Sequence, residues 1–169
     1  EMHGRITPRI QLVAEMLSHV DGAEVTANLW GERWSKLTAN GMMSALCALS
    51  GVNLRELFLD PVGQRIMVRL SGEAVATGMA LGFAVENIFG IASGRWVAAS
   101  EGDASALSNV CAALQHHTED LEESAISGMA QDLLKGRRTE IDYINGYIVA
   151  KAAEACMSAP THAAVVSLV

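Results

Sequence analysis

The sequence lacks two features that mark common classes of protein, namely an excess of basic charge and a long uninterrupted apolar run. Its 169 residues include 12 lysines and arginines against 19 aspartates and glutamates, which gives a formal net charge of −7. This charge argues against nucleic acid as a partner. Half of the residues are apolar, but no run reaches the roughly eighteen residues that would span a bilayer, so no membrane partner is predicted either.

The sequence has few cysteines, and their spacing does not indicate a set of disulfide bonds. The three cysteines lie far apart in Ala- and Leu-rich contexts, at Cys47, Cys111 and Cys156. Their spacing favours reduced thiols that pack as small core residues, rather than disulfides or reactive nucleophiles. Because no signal peptide is visible, the sequence predicts a cytoplasmic protein.

Metal-binding spacings are also missing. His116 and His117 lie beside an acidic stretch that includes Glu119, Asp120 and Glu123. Consecutive side chains on a helix diverge by about 100°, so the two imidazoles do not face one ion, and none of the usual zinc spacings occurs. No metal is therefore predicted.

Apolar residues recur at helical spacing through most of the chain, with almost no strand pattern. Capping residues, helix-opening prolines and helix-ending glycines set the expected boundaries. Helices are predicted at residues 8–19, 28–50, 54–58, 61–91, 103–117, 124–134, 139–157 and 160–169. The fold class is therefore all-α, with one short strand at 23–26 that has few partners and a connection at 91–102 that contains Trp96.

The first stretch with a clear chemical use is Trp34-Ser35-Lys36-Leu37-Thr38-Ala39-Asn40. Lys36 and Asn40 lie four residues apart, so they share one face of the helix predicted at 28–50. A lysine ammonium is both an acid and a positive charge, which suits an oxygen that becomes negative, and an asparagine amide can hydrogen-bond a small acid. On residue type alone, such a lysine is ordinarily a solvated surface residue and such an asparagine is satisfied by solvent.

The second stretch follows about a hundred residues later and reads Gly136-Arg137-Arg138-Thr139-Glu140-Ile141-Asp142-Tyr143-Ile144-Asn145-Gly146-Tyr147. Thr139 is the expected N-cap, and Glu140 lies just before an apolar stripe, where it can face a cleft or water. Its carboxylate also suits the positive end of a helix without any further role. Arg137 and Arg138 are expected to pair with surface carboxylates rather than to bind phosphate.

Both stretches resemble the C-terminal part of the ketopantoate reductases, the NADPH-dependent 2-dehydropantoate 2-reductases. The resemblance is carried by Trp-x-Lys-Leu-x-x-Asn and by Gly-Met-x-Gln-Asp-x-x-x-Gly-Arg-Arg-Thr-Glu-Ile-Asp-Tyr-Ile-Asn-Gly, and it runs in order from His3 to Pro160. It implies a helical bundle of the 6-phosphogluconate dehydrogenase C-terminal-like type over residues 28–169. Residues 1–27 would then be the tail end, one helix and one strand, of a nucleotide-binding domain whose remainder is absent.

The resemblance also implies a role for each polar residue. The family reduces ketopantoate to pantoate in pantothenate and coenzyme A biosynthesis, with the lysine at Lys36 as general acid. Asn40 and Ser44 would bind the substrate, a small 2-oxo acid, and Glu140 would hydrogen-bond the nicotinamide ribose of NADPH. The cofactor would otherwise be held by the chain's own N-terminal Rossmann domain, because no Gly-x-Gly-x-x-Gly occurs here, and the chain alone is expected to be inactive.

Three positions depart from the family pattern. Ser44 stands where typical members have a second Asn, Gly128 replaces a substrate-contacting Ser, and Leu54 occupies a place where some members have Asn. Ser127 cannot supply the missing hydroxyl, because one step along a helix turns a side chain by about 100°. These departures favour, as an alternative, a reductase of a different 2-oxo acid. The apolar helix predicted at 61–91, together with the lack of a cofactor-binding loop, suggests a homodimer, or a second alternative, a non-catalytic helical dimerisation module.

Overall fold

The computed structural model describes residues 3–122 and 124–169, with no side chain described for Asp120. Of the predicted features, Glu123 of the acidic stretch and residues 1 and 2 lie outside the described residues. The α-helices in the described ranges are α1 (Pro8–Ser18), α2 (Leu29–Ser50), α3 (Leu54–Leu59), α4 (Pro61–Ala80), α5 (Ser93–Ser100), α6 (Ala104–His117), α7 (Gly128–Leu134), α8 (Asn145–Glu154) and α9 (Pro160–Leu168). Short 3-10 turns form at Thr118–Asp120 and Ile141–Tyr143.

The all-α prediction is confirmed, and the predicted strand at 23–26 is wrong. Within the described residues, the β-type pairing is limited to an isolated bridge between Ile88 and Ile91. Residues 23–26 form an irregular connection from α1 to α2. A strand needs a neighbour to accept its backbone hydrogen bonds, and no described segment pairs with this one.

Local capping signals set several helix boundaries as expected. The Asn28 side chain accepts from Gly31 N at 3.2 Å to open α2, and Gly51 ends that helix in the left-handed region with φ +73°. The Asp60 carboxylate accepts from Gly63 N at 2.6 Å at the start of α4, and Asp103 accepts from Ala106 N at 2.7 Å at the start of α6. These side chains satisfy backbone N–H groups that have no partner inside the helix.

The helix predicted at 61–91 is too long, because α4 ends at Ala80. Gly82, just past the end of α4, adopts φ +84°, a left-handed conformation that does not continue a helix. The connection predicted at 91–102 is also wrong, since it contains α5, on which Trp96 is fully buried. α5 packs tightly along α4, where a Cβ at Gly72 would lie 2.1 Å from Ser100 Oγ.

Two further helices begin later than predicted. α7 starts at Gly128 rather than at 124, because the Ser127 hydroxyl accepts from Ala130 N at 3.2 Å and acts as the N-cap. The helix predicted at 139–157 is split into a 3-10 turn and α8. Ile144, with φ −105° and ψ −82°, breaks the helix between them, so Thr139 is not an α-helix N-cap.

α2 and α4 form the centre of the bundle. Each of the helices from α3 to α9 packs against one or both of them, and α6 also packs on α5. The largest buried apolar side chains are Trp96, Phe58, Met42, Met67 and Leu70. The core therefore follows the α2–α4 contact.

α1 differs from the other helices because it contributes no buried residue. Its apolar side chains Leu12, Met16 and Leu17 are 57%, 63% and 55% exposed. Among the described residues, none of the helices is both long and apolar enough to cross a membrane.

Candidate functional site

The predicted site residues of α2 form one stripe along the helix. Lys36, Asn40 and Ser44 follow each other at intervals of four residues and pass from exposed, through half-buried, to buried. The Ser44 hydroxyl donates to Asn40 Oδ1. No described protein group accepts from the Asn40 amide nitrogen, so that nitrogen is the atom of Asn40 that can donate to a ligand.

The buried end of this stripe is closed by α7. The Ser127 hydroxyl donates to Ser44 O at 2.9 Å and also caps α7, so it is fully used inside the protein. That Ser127 does not replace the hydroxyl expected at position 128 stays a prediction, and its stated ground is wrong, because Ser127 is the extended N-cap of α7 and not a helical residue. Gly128 itself is exposed, and a Cβ there would meet no atom within 4 Å.

The segment that carries Glu140 lies against the middle of α2. Ile144 and Ile148 pack on Gly41, where a Cβ would lie 3.6 Å from Ile144 Cγ2 and 3.2 Å from Ile148 Cδ1. Asn145 Nδ2 donates to Gly41 O at 2.8 Å. Because Gly41 directly follows Asn40, the structure brings the second predicted stretch to the first.

Lys36 and Glu140 do not form an ion pair with each other. Both side chains are exposed, and the ion pairs found among the described side chains involve other residues. That the two groups face one ligand therefore stays a prediction. The structure supports only the closeness of their segments, through the packing at Gly41.

Trp34, the first residue of the predicted lysine motif, fixes the backbone near Lys36. Its indole Nε1 donates to Ala74 O at 2.8 Å, which ties α2 to α4. Its ring lies 5.1 Å from the Phe83 ring and 6.3 Å from the Tyr147 ring, measured between centroids. The motif thus contains a buried anchor two residues before the exposed lysine.

Other predicted features have structural roles. The Arg138 guanidinium lies 3.0 Å from the Asp142 carboxylate on the surface, which confirms the expected pairing for Arg138. His116 pairs with Glu119 at 3.2 Å. Within 3–122 and 124–169, leaving aside the Asp120 side chain, no three His, Cys, Asp or Glu residues are grouped so as to hold a metal ion.

The cysteines are free thiols, as predicted. Burial raises the pKa of the Cys47 thiol to about 11, although the nearby polar groups of Ser127 oppose the shift. Burial also raises the pKa of Cys111. Cys156 is exposed, so the prediction of a core position is wrong for this residue; it follows the end of α8 with φ +55°.

Sequence reasoning missed a buried polar pair, Asn145 and His162. Asn145 Nδ2 lies 3.0 Å from His162 Nδ1, and both side chains are fully buried. The one available signal was a polar residue placed directly beside Ile144 in an apolar stripe. An apolar groove of about 710 Å³ is bordered by Leu46, Leu49 and Ile66, and none of the predicted site residues lines it.

The domain is helical, with an exposed lysine on α2 and an exposed carboxylate, that of Glu140, directly before the 3-10 turn at Ile141–Tyr143. Residues 28–169 match the family model for the C-terminal domain of ketopantoate reductase PanE/ApbA, and the chain belongs to this family. The predicted family and the predicted helical bundle are both confirmed.

Individual relatives are about twice as long as this chain. A 2-dehydropantoate 2-reductase from Archaeoglobus fulgidus is 28% identical over 156 residues, which cover 91% of this chain and 45% of that protein. A D-mandelate dehydrogenase solved with NADH and anilino(oxo)acetate has a TM-score of 0.73 at 22% identity, over 95% of this chain and 46% of that one. A dimeric ketopantoate reductase from Staphylococcus aureus has a TM-score of 0.68 at 14% identity, over 96% and 50%. The two structural likenesses establish the fold alone.

Proposed function

We propose that the full-length protein is an NADPH-dependent 2-dehydropantoate 2-reductase and that this chain supplies its substrate-binding half. The observation that carries the proposal is the exposed Lys36 ammonium at the open end of the α2 stripe, in a chain of this family. The archaeal relative with the same activity in its name supports it. The reaction would contribute to pantothenate biosynthesis.

In the proposed reaction, ketopantoate gains a hydride at its carbonyl carbon and a proton at its carbonyl oxygen, which gives pantoate. NADPH, held by the N-terminal half and at its ribose by Glu140, would supply the hydride and so become NADP⁺. Lys36 donates the proton from its ammonium, and its positive charge stabilises the negative charge that develops on the oxygen before the proton arrives. A proton from solvent then restores the ammonium.

Asn40 is proposed to hold the hydroxyl or carboxylate of the substrate through its amide N–H groups. Ser44 is 4% exposed, and its hydroxyl donates to Asn40 Oδ1. We therefore assign Ser44 an indirect role in substrate binding. It orients the Asn40 amide so that the nitrogen, and not the oxygen, is presented to the substrate.

Glu140 is proposed to bind the ribose beside the nicotinamide. Its exposed carboxylate offers acceptor oxygens, which fit the hydroxyl groups of a ribose. The sequence has no Gly-x-Gly-x-x-Gly loop to bind the phosphates, so these are proposed to bind the preceding half of the protein. That half would also decide between NADPH and NADH, the cofactor of the mandelate dehydrogenase structure.

The N-terminal partner domain is proposed to cover α1. Residues 3–27 precede the part that matches the family model, and the apolar side chains Leu12, Met16 and Leu17 of α1 are exposed. A helix with an uncovered apolar side needs a neighbour, and the relatives have a further half to provide one. We therefore propose that residues 1–27 belong to a Rossmann domain and that 28–169 alone is inactive.

We extend the proposal to a cytoplasmic enzyme, in keeping with its free thiols, and to a homodimer like the Staphylococcus aureus relative. The alternative of a non-catalytic dimerisation module loses one of its two supports, the long apolar helix predicted at 61–91. The apolar residues Met67, Leu70 and Val75 of α4 are buried within the domain, and the helix ends at Ala80.

The assignment of Lys36 is tested by Lys36→Ala in the full-length protein. Loss of the general acid should lower kcat for ketopantoate by about 10²- to 10⁴-fold. Lys135→Ala is the matched control, because Lys135 is an exposed lysine at the end of α7. Near-normal turnover of Lys36→Ala on ketopantoate and on other 2-oxo acids would show that the assignment is wrong.

The open space at Gly128 favours a second candidate, the reduction of a different and bulkier 2-oxo acid. Values of kcat/KM for ketopantoate, for an aryl 2-oxo acid and for short aliphatic 2-oxo acids would separate the candidates. Gly128→Ser restores the hydroxyl that the family resemblance expects there, and the structure has room for it. If the natural substrate differs, this variant should gain activity towards ketopantoate relative to the other acids; an unchanged ranking headed by ketopantoate contradicts the second candidate.

A further inference from the structure

A fully buried amide and imidazole connect four helices behind the candidate site. Asn145 Nδ2, at the start of α8, donates to Gly41 O of α2 at 2.8 Å and lies 3.0 Å from His162 Nδ1 of α9. His162 Nε2 lies 2.9 Å from Leu70 O of α4. Both side chains are 0% exposed.

The hydrogen-bond partners fix the protonation pattern of this pair. Leu70 O can only accept, so His162 Nε2 carries the proton and His162 Nδ1 accepts from Asn145. Both N–H groups of the Asn145 amide are then used. The reversed amide would place its oxygen against two acceptors, Gly41 O and His162 Nδ1, so only one orientation is stable.

This arrangement leaves Asn145 Oδ1 buried without a hydrogen-bond partner among the described residues. A buried unsatisfied oxygen destabilises the fold, and an apolar side chain of similar size would not carry that cost. The polar pair is therefore poorly explained by stability alone. Its directional bonds instead specify where α8 sits on α2.

The Glu73 carboxylate of α4 fixes the backbone at His162. The Glu73 oxygens accept from Thr161 N at 3.0 Å, from Thr161 Oγ1 at 2.5 Å and from His162 N at 3.1 Å. These bonds satisfy backbone N–H groups in the first turn of α9. Because α4 fixes both the backbone and the ring of His162, Nδ1 has a set position relative to α2.

The fixed pair lies next to the residues proposed to act on substrate and cofactor. Gly41 directly follows Asn40, and Asn145 follows Glu140 by five residues across one 3-10 turn. Lys36 and Glu140 are exposed and take part in no ion pair found among the described side chains, so no such contact of their own sets their separation. The distance between Lys36 and Glu140 therefore depends on how the Glu140 segment packs against α2.

We propose that Asn145 and His162 are positioning residues, which set the Glu140 segment on α2 at Gly41 and so align the cofactor-binding carboxylate with Lys36. This inference rests on the proposed reductase function. Small displacements of a positioning group can lower a rate by about 100-fold without contact to the reacting atoms. Loss of the pair should therefore affect catalysis and cofactor binding more than it affects folding.

The test uses the full-length enzyme with NADPH and its best 2-oxo acid. Asn145→Leu and His162→Leu remove the directional bonds while keeping an apolar side chain of similar size. We expect kcat/KM to fall by about 10- to 100-fold and the KM for NADPH to rise in both variants. Val110→Ala is the stability control, because Val110 is fully buried in α6 and takes no part in the site, so it should lower Tm and leave kcat unchanged.

Two milder variants provide a second comparison if the leucine variants fail to fold. In His162→Asn, the side-chain oxygen can replace Nδ1 and accept from Asn145. In His162→Gln, the amide nitrogen can replace Nε2 and donate to Leu70 O. The inference predicts that His162→Asn recovers most of the activity and that His162→Gln does not.

The outcomes separate the inference from the function on which it rests. A wild-type enzyme that reduces no 2-oxo acid overturns both. An active wild type whose Asn145→Leu and His162→Leu variants match Val110→Ala in kcat and in KM for NADPH overturns the positioning role alone. Equal activity of His162→Asn and His162→Gln also overturns it.

Discussion

Gly78→Ala should disrupt the contact that holds the lysine-bearing helix against α4. A Cβ at Gly78 would lie 2.2 Å from Trp34 Nε1, 2.5 Å from Cδ1 and 2.8 Å from Cε2. The Trp34 ring cannot simply move away, because it is 4% exposed, donates to Ala74 O at 2.8 Å and packs on Phe83. The substitution must therefore displace a rigid indole or separate two helices.

The expected magnitude combines three effects. Overpacking of a dense core costs about 1–3 kcal/mol. A weakened Trp34 hydrogen bond adds about 1 kcal/mol, and the better helix propensity of alanine offsets about 1 kcal/mol. The net loss of about 1–3 kcal/mol corresponds to a fall in Tm of about 2–12 °C for a domain of this size.

Thermal unfolding followed by circular dichroism measures this change. Gly94→Ala is the matched control, because Gly94 lies in α5 and a Cβ there would meet no atom within 4 Å. The control should hold or raise Tm, since alanine favours a helix by up to about 1 kcal/mol. If Gly78→Ala raises Tm as much as Gly94→Ala does, the Trp34 ring does not pack on Gly78 and the described α2–α4 contact is wrong.

Two further predictions concern α9. Burial lowers the pKa of the His162 imidazole, although the Leu70 carbonyl and the Glu73 charge oppose the shift. In the unfolded chain this imidazole titrates at about 6.5, so below that pH the unfolded chain binds more protons than the folded chain. The free energy of unfolding should therefore fall as the pH drops from about 6.5 towards the folded pKa, by at most about 1.4 kcal/mol per pH unit. Urea unfolding at several pH values measures how the free energy of unfolding depends on pH, and this dependence should be weaker for His162→Gln than for the wild type. An equal dependence would show that His162 is not the group responsible. Glu73→Ala removes the acceptor of the first turn of α9 and should cost about 1–2 kcal/mol. Hydrogen exchange should then accelerate selectively in α9, whereas a uniform change along the chain would contradict the capping role.

Much of the fold follows from local chemistry and was accessible from the sequence. α2 was predicted with its Asn28 cap and its Gly51 end because those signals act within a few residues. The end of α4 and the presence of α5 are not predicted correctly, because they depend on contacts between residues far apart in the sequence. α5 is stabilised by the burial of Trp96 and by the fit of Ser100 against Gly72, and neither contact can be read from residues near α5.

In the candidate site too, local features are predictable from the sequence and contacts between distant residues are not. Four-residue spacing was enough to place Lys36, Asn40 and Ser44 on one side of α2. The hydrogen bonds of Asn145 to Gly41 and to His162 join residues that are 104 and 17 positions apart, so no local sequence pattern predicts them. The bond between Ser44 and Asn40 was also missed, although the four-residue spacing permits it.

The bond between Gly41 and Asn145 has a consequence for how the molecule is made. It closes a loop of 104 residues, which is an entropically costly event that becomes favourable once the intervening helices have already docked. The two sides of the site should therefore meet late in folding. A nascent chain that has left the ribosome only as far as α7 already displays Lys36 and Asn40, yet it has no Glu140 to set beside them.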